Sequence, residues 1–428
     1  MAIDNKDKKV LKSSIEREQN EVACSAECEK IKGSKNLNVP HLIFPEFSGE
    51  WEMVSLQDIA TINPKSDPLQ NTFIYIDLEA VEKGELRKIQ EIMREEAPSR
   101  AQRVIDNNDI LFQCVRPYQK NNYIHRILNT SNQQWVASTG YAQIRTTELP
   151  NYIYHLLNTD EFNRKVMVRC TGSSYPAINS EDLATIHLYY TPDKKEQLKI
   201  SRLLDLLDKR IATQNKIIED LKKLKSAISK HLFARKDLLE TTICLSNIAT
   251  LKNGYAFQSG KYNALGKWKI LTITNVSGER YINDEDYNCI INLPNDIQDH
   301  QVLKEGDILI SLTGNVGRVS LCKDGDYLLN QRVGLLQLAK NVNQEFLYQI
   351  LSSQRFENSM IACGQGAAQM NIGKGDVESY VLPYSSNVNN ILLVAKILHS
   401  YDEYIINEQR KLTLLTMQKQ YFLAQMFI

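Results

Sequence analysis

The chain has 428 residues, of which 43% are apolar, and its 51 basic and 51 acidic residues balance to a formal net charge of zero. This length predicts two or three domains, each with its own core. Apolar residues never run on for the roughly 18 positions that a membrane helix needs, and the chain does not open on a hydrophobic signal, so membrane and secreted proteins are excluded. We therefore expect a cytoplasmic protein.

The first 46 residues are rich in Lys, Glu, Asn and Ser, which predicts a loosely ordered tail. Cys24 and Cys28 in this tail are the closest pair among the eight cysteines. No nearby histidine completes a metal site, so reduced thiols are the better interpretation.

Residues 47–191 form the first predicted globule. Short β-branched and aromatic runs, such as residues 73–76 and 109–112, alternate there with Asn, Gly and Pro turns, which is typical of short strands. We expect a mixed α+β domain.

Residues 192–237 are predicted to form one long helix, because apolar residues recur there about every 3.5 positions. About 40 residues of helix would be about 60 Å long. The apolar stripe consists of Leu204, Leu207, Ile211, Ile218, Leu221, Ile228 and Leu232.

The second half repeats this order, with a globule over residues 238–383 and a helix over residues 384–428. The stripe of the second helix consists of Leu398, Tyr401, Ile405, Leu412, Leu415, Phe422 and Met426.

A tandem repeat explains this parallel, since many identical residues recur 194 positions later without a gap. The pairs are Gly140/Gly334, Gln143/Gln337, Tyr154/Tyr348, Phe162/Phe356, Gly172/Gly366, Asp182/Asp376, Lys225/Lys419 and Phe233/Phe427. Two such halves can be related by a pseudo-twofold, which suits a symmetric partner such as duplex DNA. The predicted fold class is α+β, with two homologous mixed α/β globules joined by two long antiparallel coiled-coil helices.

Polar residues interrupt both stripes at equivalent positions, Gln214 with Glu408 and Lys225 with Lys419. They either set the register of the helix pair, a well-attested use of polar core positions, or face a third protein. We favour the first interpretation.

No catalytic motif is found in the sequence. The stretch from Gly366 to Lys374 is glycine-rich, but its spacing is wrong for a phosphate-binding loop, and Gly375 occupies the place of the magnesium-binding Ser or Thr. The seven histidines lack metal-ligand spacing, and the Gly-x-Ser-x-Gly elbow of hydrolases does not occur. We predict a non-catalytic protein with no cofactor or metal of its own.

Short motifs follow the same order around the two long helices. In the first half they are Phe44, Pro45, Glu46, Phe47, Glu50 and Trp51, then Leu56, Ile59 and Ala60, then Asp109, Ile110 and Leu111, then Pro192, Glu196, Gln197 and Ile200. In the second half they are Leu245, Ile248, Ala249, Asn253, Gly254 and Phe257, then Gly306 to Leu309, Asn330 to Gly334, Leu382 and Pro383. This order resembles the specificity subunit of type I restriction-modification systems, and the match spans the chain from Pro45 onward.

The resemblance implies a reader of a two-part sequence in double-stranded DNA. Each globule would be a target-recognition domain for one half-site, and the helix pair would set the gap between the half-sites. Two methyltransferase subunits using S-adenosylmethionine would dock on the helices, and restriction/translocation subunits using ATP and magnesium would join them.

Polar loops that follow strands are the candidate DNA-binding segments, because Arg, Gln, Asn and Lys can read base edges. An ordinary solvated turn is the competing interpretation at each position. In the first globule the candidates are Gln113, Arg116, Tyr118, Gln119, Lys120, Asn121, Asn122, Ser173, Ser174 and Tyr175. In the second globule they are Thr313, Asn315, Arg318, Gln331, Arg332, Gln365 and Gln369.

Two alternatives to a DNA-specificity subunit remain. One is a protein-interaction scaffold or a solitary or decoy subunit of the same fold, and the other is an enzyme with an unrecognised site. The intact stripes and two full globules argue against a truncated relative as the first, and the lack of paired catalytic motifs argues against the second.

Overall fold

The computed structural model describes residues 38–126, 133–364 and 370–428. These residues form two compact units. The first extends to Ile211 and also includes Leu414–Ile428, and the second is Ala212–Thr413. The tail up to residue 37, with Cys24 and Cys28, lies outside the described residues.

The globule of the first unit combines short helices with small sheets. Its helices are α1 (Leu56–Ile59), α2 (Pro150–Leu157), α3 (Asp160–Arg169) and α4 (Ser180–Ala184), and the long helix α5 (Lys194–Ala234) follows. Its strands are β1 (Glu52–Ser55), β2 (Ala60–Ile62), β3 (Thr72–Ile76), β4 (Val81–Glu82), β5 (Glu85–Leu86), β6 (Gln90–Met93), β7 (Ala101–Ile105), β8 (Ile110–Gln113), β9 (Tyr123–Ile124), β10 (Gln134–Ser138), β11 (Tyr141–Thr146) and β12 (His187–Tyr190).

Two four-stranded sheets form the body of this globule, with strand orders β6-β3-β10-β7 and β2-β11-β8-β9. β3 and β10 are parallel, whereas the β8 and β11 pair is antiparallel. A separate pair of β1 with β12 joins the beginning of the globule to its end, just before α5. Strands and helices are therefore mixed as expected for an α+β domain.

The globule of the second unit repeats this plan. Its strands are β13 (Thr241–Cys244), β14 (Ala249–Asn253), β15 (Trp268–Leu271), β16 (Asn288–Ile290), β17 (Ile308–Ser311), β18 (Val319–Leu321), β19 (Tyr327–Leu329), β20 (Val333–Leu338) and β21 (Val381–Tyr384). Its helices are α6 (Gln344–Leu351), α7 (Gln354–Gly364) and α8 (Lys374–Glu378), and the long helix α9 (Val388–Gln425) follows. The sheet orders are β14-β20-β17-β18, β16-β15-β19 and β13-β21.

The core of the first unit includes residues from the far end of α9. Phe427 packs edge-on against Trp51, with ring centroids 5.9 Å apart, and lies 5.6 Å from the ring of Tyr152. The amide of Leu42 also donates to the carbonyl of Gln425 at 2.8 Å. Aromatic side chains bury large apolar areas, so these contacts fasten the end of α9 to the first globule.

The core of the second unit is built in the same way from the end of α5. Leu232 is buried in it, and Phe233 packs against it. These residues are the repeat equivalents of Met426 and Phe427, which occupy the core of the first unit. Each unit therefore contains one globule, the beginning of the helix that follows it and the end of the other long helix.

The long helices run antiparallel within each unit. In the second unit Gln214 donates to Glu408, and Lys225 lies 2.5 Å from Asp402, so the paired positions advance along α5 and retreat along α9. In the first unit Lys419 pairs with Asp208. The polar interruptions of both stripes are thus paired across the helices, which supports the interpretation that they set register. The predicted fold class is confirmed.

The stripes lie on the packed faces of the helices. Buried members are Leu204, Leu207, Ile218, Leu232, Leu398, Ile405 and Met426. Half-buried members are Ile211, Leu221, Ile228, Tyr401, Leu412, Leu415 and Phe422.

Strand register corrects part of the repeat alignment. In the first globule Gln113 pairs with Tyr141, and in the second Ser311 pairs with Val333. When Gln113 at the end of β8 is matched with Ser311 at the end of β17, their partners Tyr141 and Val333 are also matched, and these are 192 positions apart. The segment that includes Gly140 and Gln143 is therefore offset by 192 positions, not 194. Two additional residues follow β20 before α6, which restores the offset at the helices. Gly140 and Gly334 are not structural equivalents, because the ladder places Gly140 level with Arg332.

A buried histidine gives the first unit an expected acid sensitivity. His125 is fully buried, its ring lies 4.8 Å from that of Trp135, and neither ring nitrogen has a hydrogen-bond partner in the described structure. Burial lowers the pKa of His125 from 6.5 to about 4, although the charge of Asp109 opposes this shift. The unfolded chain then binds the proton more readily than the folded chain, so stability is lost as pH falls from 6.5 toward 4.

We expect His125→Phe to remove this loss, which amounts to about 2–3 kcal/mol. Chemical denaturation between pH 7 and pH 4 (about the folded pKa) measures it. His187→Phe, at an exposed position, is the control and should keep the acid sensitivity of the parent. Equal acid sensitivity in the parent and His125→Phe would contradict the assignment.

Candidate DNA interface

Three segments of the first globule meet at the end of β8. The amide of Cys114 donates to the carbonyl of Gly140 at 3.0 Å, and the amide of Ile178 donates to the carbonyl of Cys114 at 3.1 Å. The loop after β8 therefore lies between the turn before β11 and the segment of residues 171–178. This arrangement brings together the two groups of candidate residues predicted for this globule.

Two of the candidates hold the loop together from inside. Gln113 and Asn122 are buried. The Gln113 side chain donates to Gln119 at 2.9 Å and accepts from the main-chain amide of Asn121 at 3.1 Å, while the Asn122 side-chain Oδ1 accepts from the main-chain amide of Gln113 at 2.8 Å. Because buried amides need such partners, their geometry fixes the course of the loop.

The half-buried Arg116 and the exposed Tyr175 contact each other on this surface. The Arg116 guanidinium lies 4.4 Å from the centroid of the Tyr175 ring, a cation–π contact. Tyr175 is 64% exposed and Tyr118 is 51% exposed. Gly172 has φ +88°, which permits the turn that presents Ser173 and Ser174 to solvent.

Lys120 and Asn121 are tied to the globule. The Lys120 ammonium lies 2.5 Å from Asp160 and donates to the carbonyl of Asn158 at 3.2 Å. The Asn121 side chain accepts from the amide of Lys83 at 3.0 Å. Tyr118, Gln119 and the turn at Ser173 to Tyr175 are therefore the exposed candidates, whereas Arg116 is half-buried.

The corresponding segments of the second globule meet in the same way. The amide of Leu312 donates to the carbonyl of Arg332 at 3.1 Å, and the amide of Ile372 donates to the carbonyl of Leu312 at 2.9 Å. Thr313 is buried, and its hydroxyl donates to the Asn371 side chain at 2.7 Å. Asn315 is exposed.

Gln331 and Arg332 lie where these segments meet, at a surface that we call the loop edge of the second globule. Both are exposed, and neither side chain has a hydrogen-bond or ion-pair partner in residues 38–126, 133–364 and 370–428. Arg318 instead lies 3.5 Å from Glu357. The predicted candidates Gln365 and Gln369 lie outside the described residues.

The structure adds residues that the sequence interpretation missed. Thr139 and Gly140 occupy the place of Gln331 and Arg332, and the amide of Thr139 donates to the carbonyl of the exposed Arg100 at 2.9 Å. No signal in the sequence indicated Thr139 and Gly140, because the corrected strand register comes from the hydrogen-bond ladders. Arg100 lies too far away in the sequence to be linked to this edge without the fold.

An aromatic cavity adjoins the edge of the second globule. Its volume is about 440 Å³, and Tyr255, Phe257 and Tyr262 line it together with Lys261. Tyr255 is held beside the edge because its carbonyl accepts from the amide of Gln331 at 2.9 Å. A Cβ on Gly254 would come 2.1 Å from the carbonyl oxygen of Asn330, so only glycine permits this approach.

The Cys114 thiol beside the first site is buried. Burial raises the pKa of Cys114 to about 12, so the thiol stays protonated at neutral pH. Among the described residues, no group of three or more His, Cys, Asp or Glu side chains could hold a metal ion. Over the same ranges, no helix combines the length and the apolar character needed to cross a membrane.

These features define a class of protein with two tandem α/β domains, each presenting a polar loop edge, mounted on a pair of long antiparallel helices. The family described as the type I restriction modification DNA specificity domain matches residues 48–223 and 240–417. The chain belongs to this family and carries the domain twice.

Two curated proteins are similar over part of the chain. The type I restriction enzyme MjaVIII specificity subunit of Methanocaldococcus jannaschii is 28% identical over 233 residues, which cover 49% of this chain and 53% of that protein. The HindI specificity subunit of Haemophilus influenzae is 24% identical over 195 residues, 44% of this chain and 39% of that protein. The chain thus matches about half or less of their length.

Two solved structures share the fold over most of the chain. The specificity subunit of a type I restriction-modification system from M. genitalium has a TM-score of 0.55 and 15% identity, covering 91% of this chain and 99% of its own. A chain from a study of type I system assembly and conformational transition has a TM-score of 0.55 and 20% identity, covering 90% and 98%.

Proposed function

We propose that this protein is the DNA sequence-specificity subunit of a type I restriction-modification complex. Each globule reads one half of a bipartite target in double-stranded DNA. The proposal rests on one observation. The same loop edge, formed where three segments meet, recurs in both copies of a duplicated specificity domain. Such an edge presents Arg, Gln and Tyr side chains on a rigid sheet, and base edges are read by side chains of this kind.

The first globule reads its half-site with Arg116, Tyr118, Gln119 and the turn at Ser173 to Tyr175. The Tyr175 ring restrains the Arg116 guanidinium, which reduces the entropy lost when it binds a base or phosphate. In the second globule Gln331 and Arg332 do the same work. Within the described residues these side chains have no hydrogen-bond or ion-pair partner, so binding DNA breaks no such contact there.

The subunit itself is non-catalytic and acts in the cytoplasm. Two methyltransferase subunits dock on α5 and α9, and restriction/translocation subunits complete the assembly. S-adenosylmethionine, ATP and magnesium are used by those partners. The family membership and the likeness to chains of type I systems support this part of the proposal.

The test is a pair of loop variants. We expect Arg116→Ala with Tyr175→Ala to weaken recognition of one half-site, and Gln331→Ala with Arg332→Ala to weaken the other, because each bidentate base contact contributes about 1–3 kcal/mol of discrimination. Sequencing of methylated adenines in cells that carry each variant with its methyltransferase measures relaxation at individual base positions.

Arg164→Ala and Arg355→Ala are the charge-matched controls, at exposed positions on α3 and α7. They should lower affinity slightly and evenly across sequences, since a lost phosphate attraction carries no base information. The assignment fails if the loop variants keep the parent's full sequence preference, or if each of them relaxes both half-sites.

A further inference from the structure

Each globule contacts the long helices through polar residues, and these residues occupy equivalent positions in the two halves of the repeat. In the first unit the positions are Asn151 and His155 on α2 and Asp205 on α5, which we call the first junction. In the second unit they are Glu345 and Gln349 on α6 and His399 on α9, the second junction. The equivalent residues are Asn151 and Glu345, His155 and Gln349, and Asp205 and His399, each 194 positions apart. None of the three positions has the same residue type in both halves.

The first junction is centred on an acid of the long helix. His155 is fully buried, and its Nε2 lies 2.8 Å from Asp205 Oδ1. The Asn151 amide donates to the same carboxylate, and Arg126 donates to Asn151. Burial raises the pKa of Asp205, but the hydrogen bonds from His155 and Asn151 outweigh it and hold the pKa below its usual value.

The second junction reverses this polarity. Here the acid, Glu345, is on the globule, and His399 on the long helix lies 3.5 Å from it. Gln349 donates to Glu345 at 2.7 Å, and the buried Arg280 donates to it at 2.6 and 2.9 Å. Burial raises the pKa of Glu345, yet these donors hold it below its usual value.

One ion pair close to the junctions is the same in both units. Asp208 pairs with Lys419 at 2.5 Å, and the equivalent Asp402 pairs with Lys225 at 2.5 Å. This constant pair links the two long helices in both units. In the second unit Asp402 also accepts from Arg280 and Gln349 of the globule, at 3.0 and 2.6 Å. The three junction positions differ in residue type between the units, so they can distinguish one globule from the other.

We propose that the two junctions are matching sets that direct each globule to its own helix end and disfavour the other globule, including one from a second copy of this chain. The second globule on the first helix end would place Glu345 against Asp205, two acids in a partly buried site. The first globule on the second helix end would place buried His155 beside His399 without Asp205. Both mismatches leave a desolvated polar group without its partner. The proposal concerns assembly of the chain and does not depend on DNA reading.

The test is one substitution in two backgrounds. In the parent chain, Asp205→His should lower the unfolding temperature by about 5 °C or more, because His155 loses its acceptor. In a full-length chimera that carries residues 238–383 in place of residues 47–191, Asp205→His should instead raise the unfolding temperature, because it restores a histidine opposite Glu345. Differential scanning calorimetry and limited proteolysis report both effects.

Two further variants keep the test decisive. Asp205→His combined with Asn151→Glu and His155→Gln converts the first junction into the second, with Arg126 available to pair with Glu at position 151, and should recover most of the lost stability. Arg202→His, on the exposed face of the same helix, should change neither background. An unaffected parent, an unrescued triple variant or a chimera that Asp205→His also destabilises overturns the proposal.

Discussion

Exchange of the first globule for that of a relative is expected to change one half of the methylated sequence and to leave the other half unchanged. Each globule has its own sheets, core and loop edge within its own unit. Sequence information in the first edge can therefore be replaced without touching Gln331 or Arg332. The effect is large, since each mismatched base pair costs about 1–3 kcal/mol and a new half-site differs at several.

The exchange should cover residues 47–190 and must preserve the contacts of the globule with the long helices. Trp51 and Tyr152 hold Phe427, so the donor should supply aromatic or large apolar residues at those positions. Genome-wide mapping of methylated adenines reads out the result. The control is reinsertion of the native globule at the same two fusion boundaries. If both half-sites changed together, the globules would not read independently.

Charge in the helix stripe is expected to have the largest effect on stability. Leu221 and Leu415 are half-buried at equivalent positions of α5 and α9, and Leu415 packs against the core of the first unit. Leu221→Asp with Leu415→Asp removes apolar contacts and places two carboxylates at half-buried positions of the packed helix faces, at a cost of about 2–4 kcal/mol each. Circular dichroism at increasing temperature should show unfolding roughly 10 °C or more below the parent.

The neighbouring residues Leu224 and Leu414 provide a matched control. They are 47% and 64% exposed, so the same change to Asp should shift unfolding little. If the stripe variant unfolded no earlier than this control, packing of the stripe would not stabilise the helix pair.

Periodicity made the helix pair predictable, whereas the loop edges depend on tertiary contacts. A seven-residue spacing of apolar residues indicates which face of a helix is buried, so the stripes that include Leu204 and Leu398 could be predicted from the sequence alone. Gln113 and Asn122, by contrast, follow a strand as solvated turn residues do, and only the meeting of three segments buries them. Polarity alone does not distinguish an amide that organises a loop from one that faces a ligand.

Repeats predicted the halves well and their register less well. Identical residues align Gly140 with Gly334, but the hydrogen-bond ladder shifts this strand by two positions. That shift concealed Thr139 as the counterpart of Gln331. The junction of His155 with Asp205 was also beyond sequence reasoning, because the two residues are 50 positions apart and neither belongs to a motif.

The placement of Met426 and Phe427 in the core of the first unit has a consequence for biosynthesis. The first globule leaves the ribosome long before residues 414–428 are made, and until then Trp51 and Tyr152 lack the aromatic ring that covers them. The nascent chain therefore carries an exposed apolar surface while the second globule is translated. Such a surface invites association with other nascent chains or with chaperones. Its lifetime is set by translation of the intervening residues, which at roughly 5–20 residues per second takes tens of seconds at most.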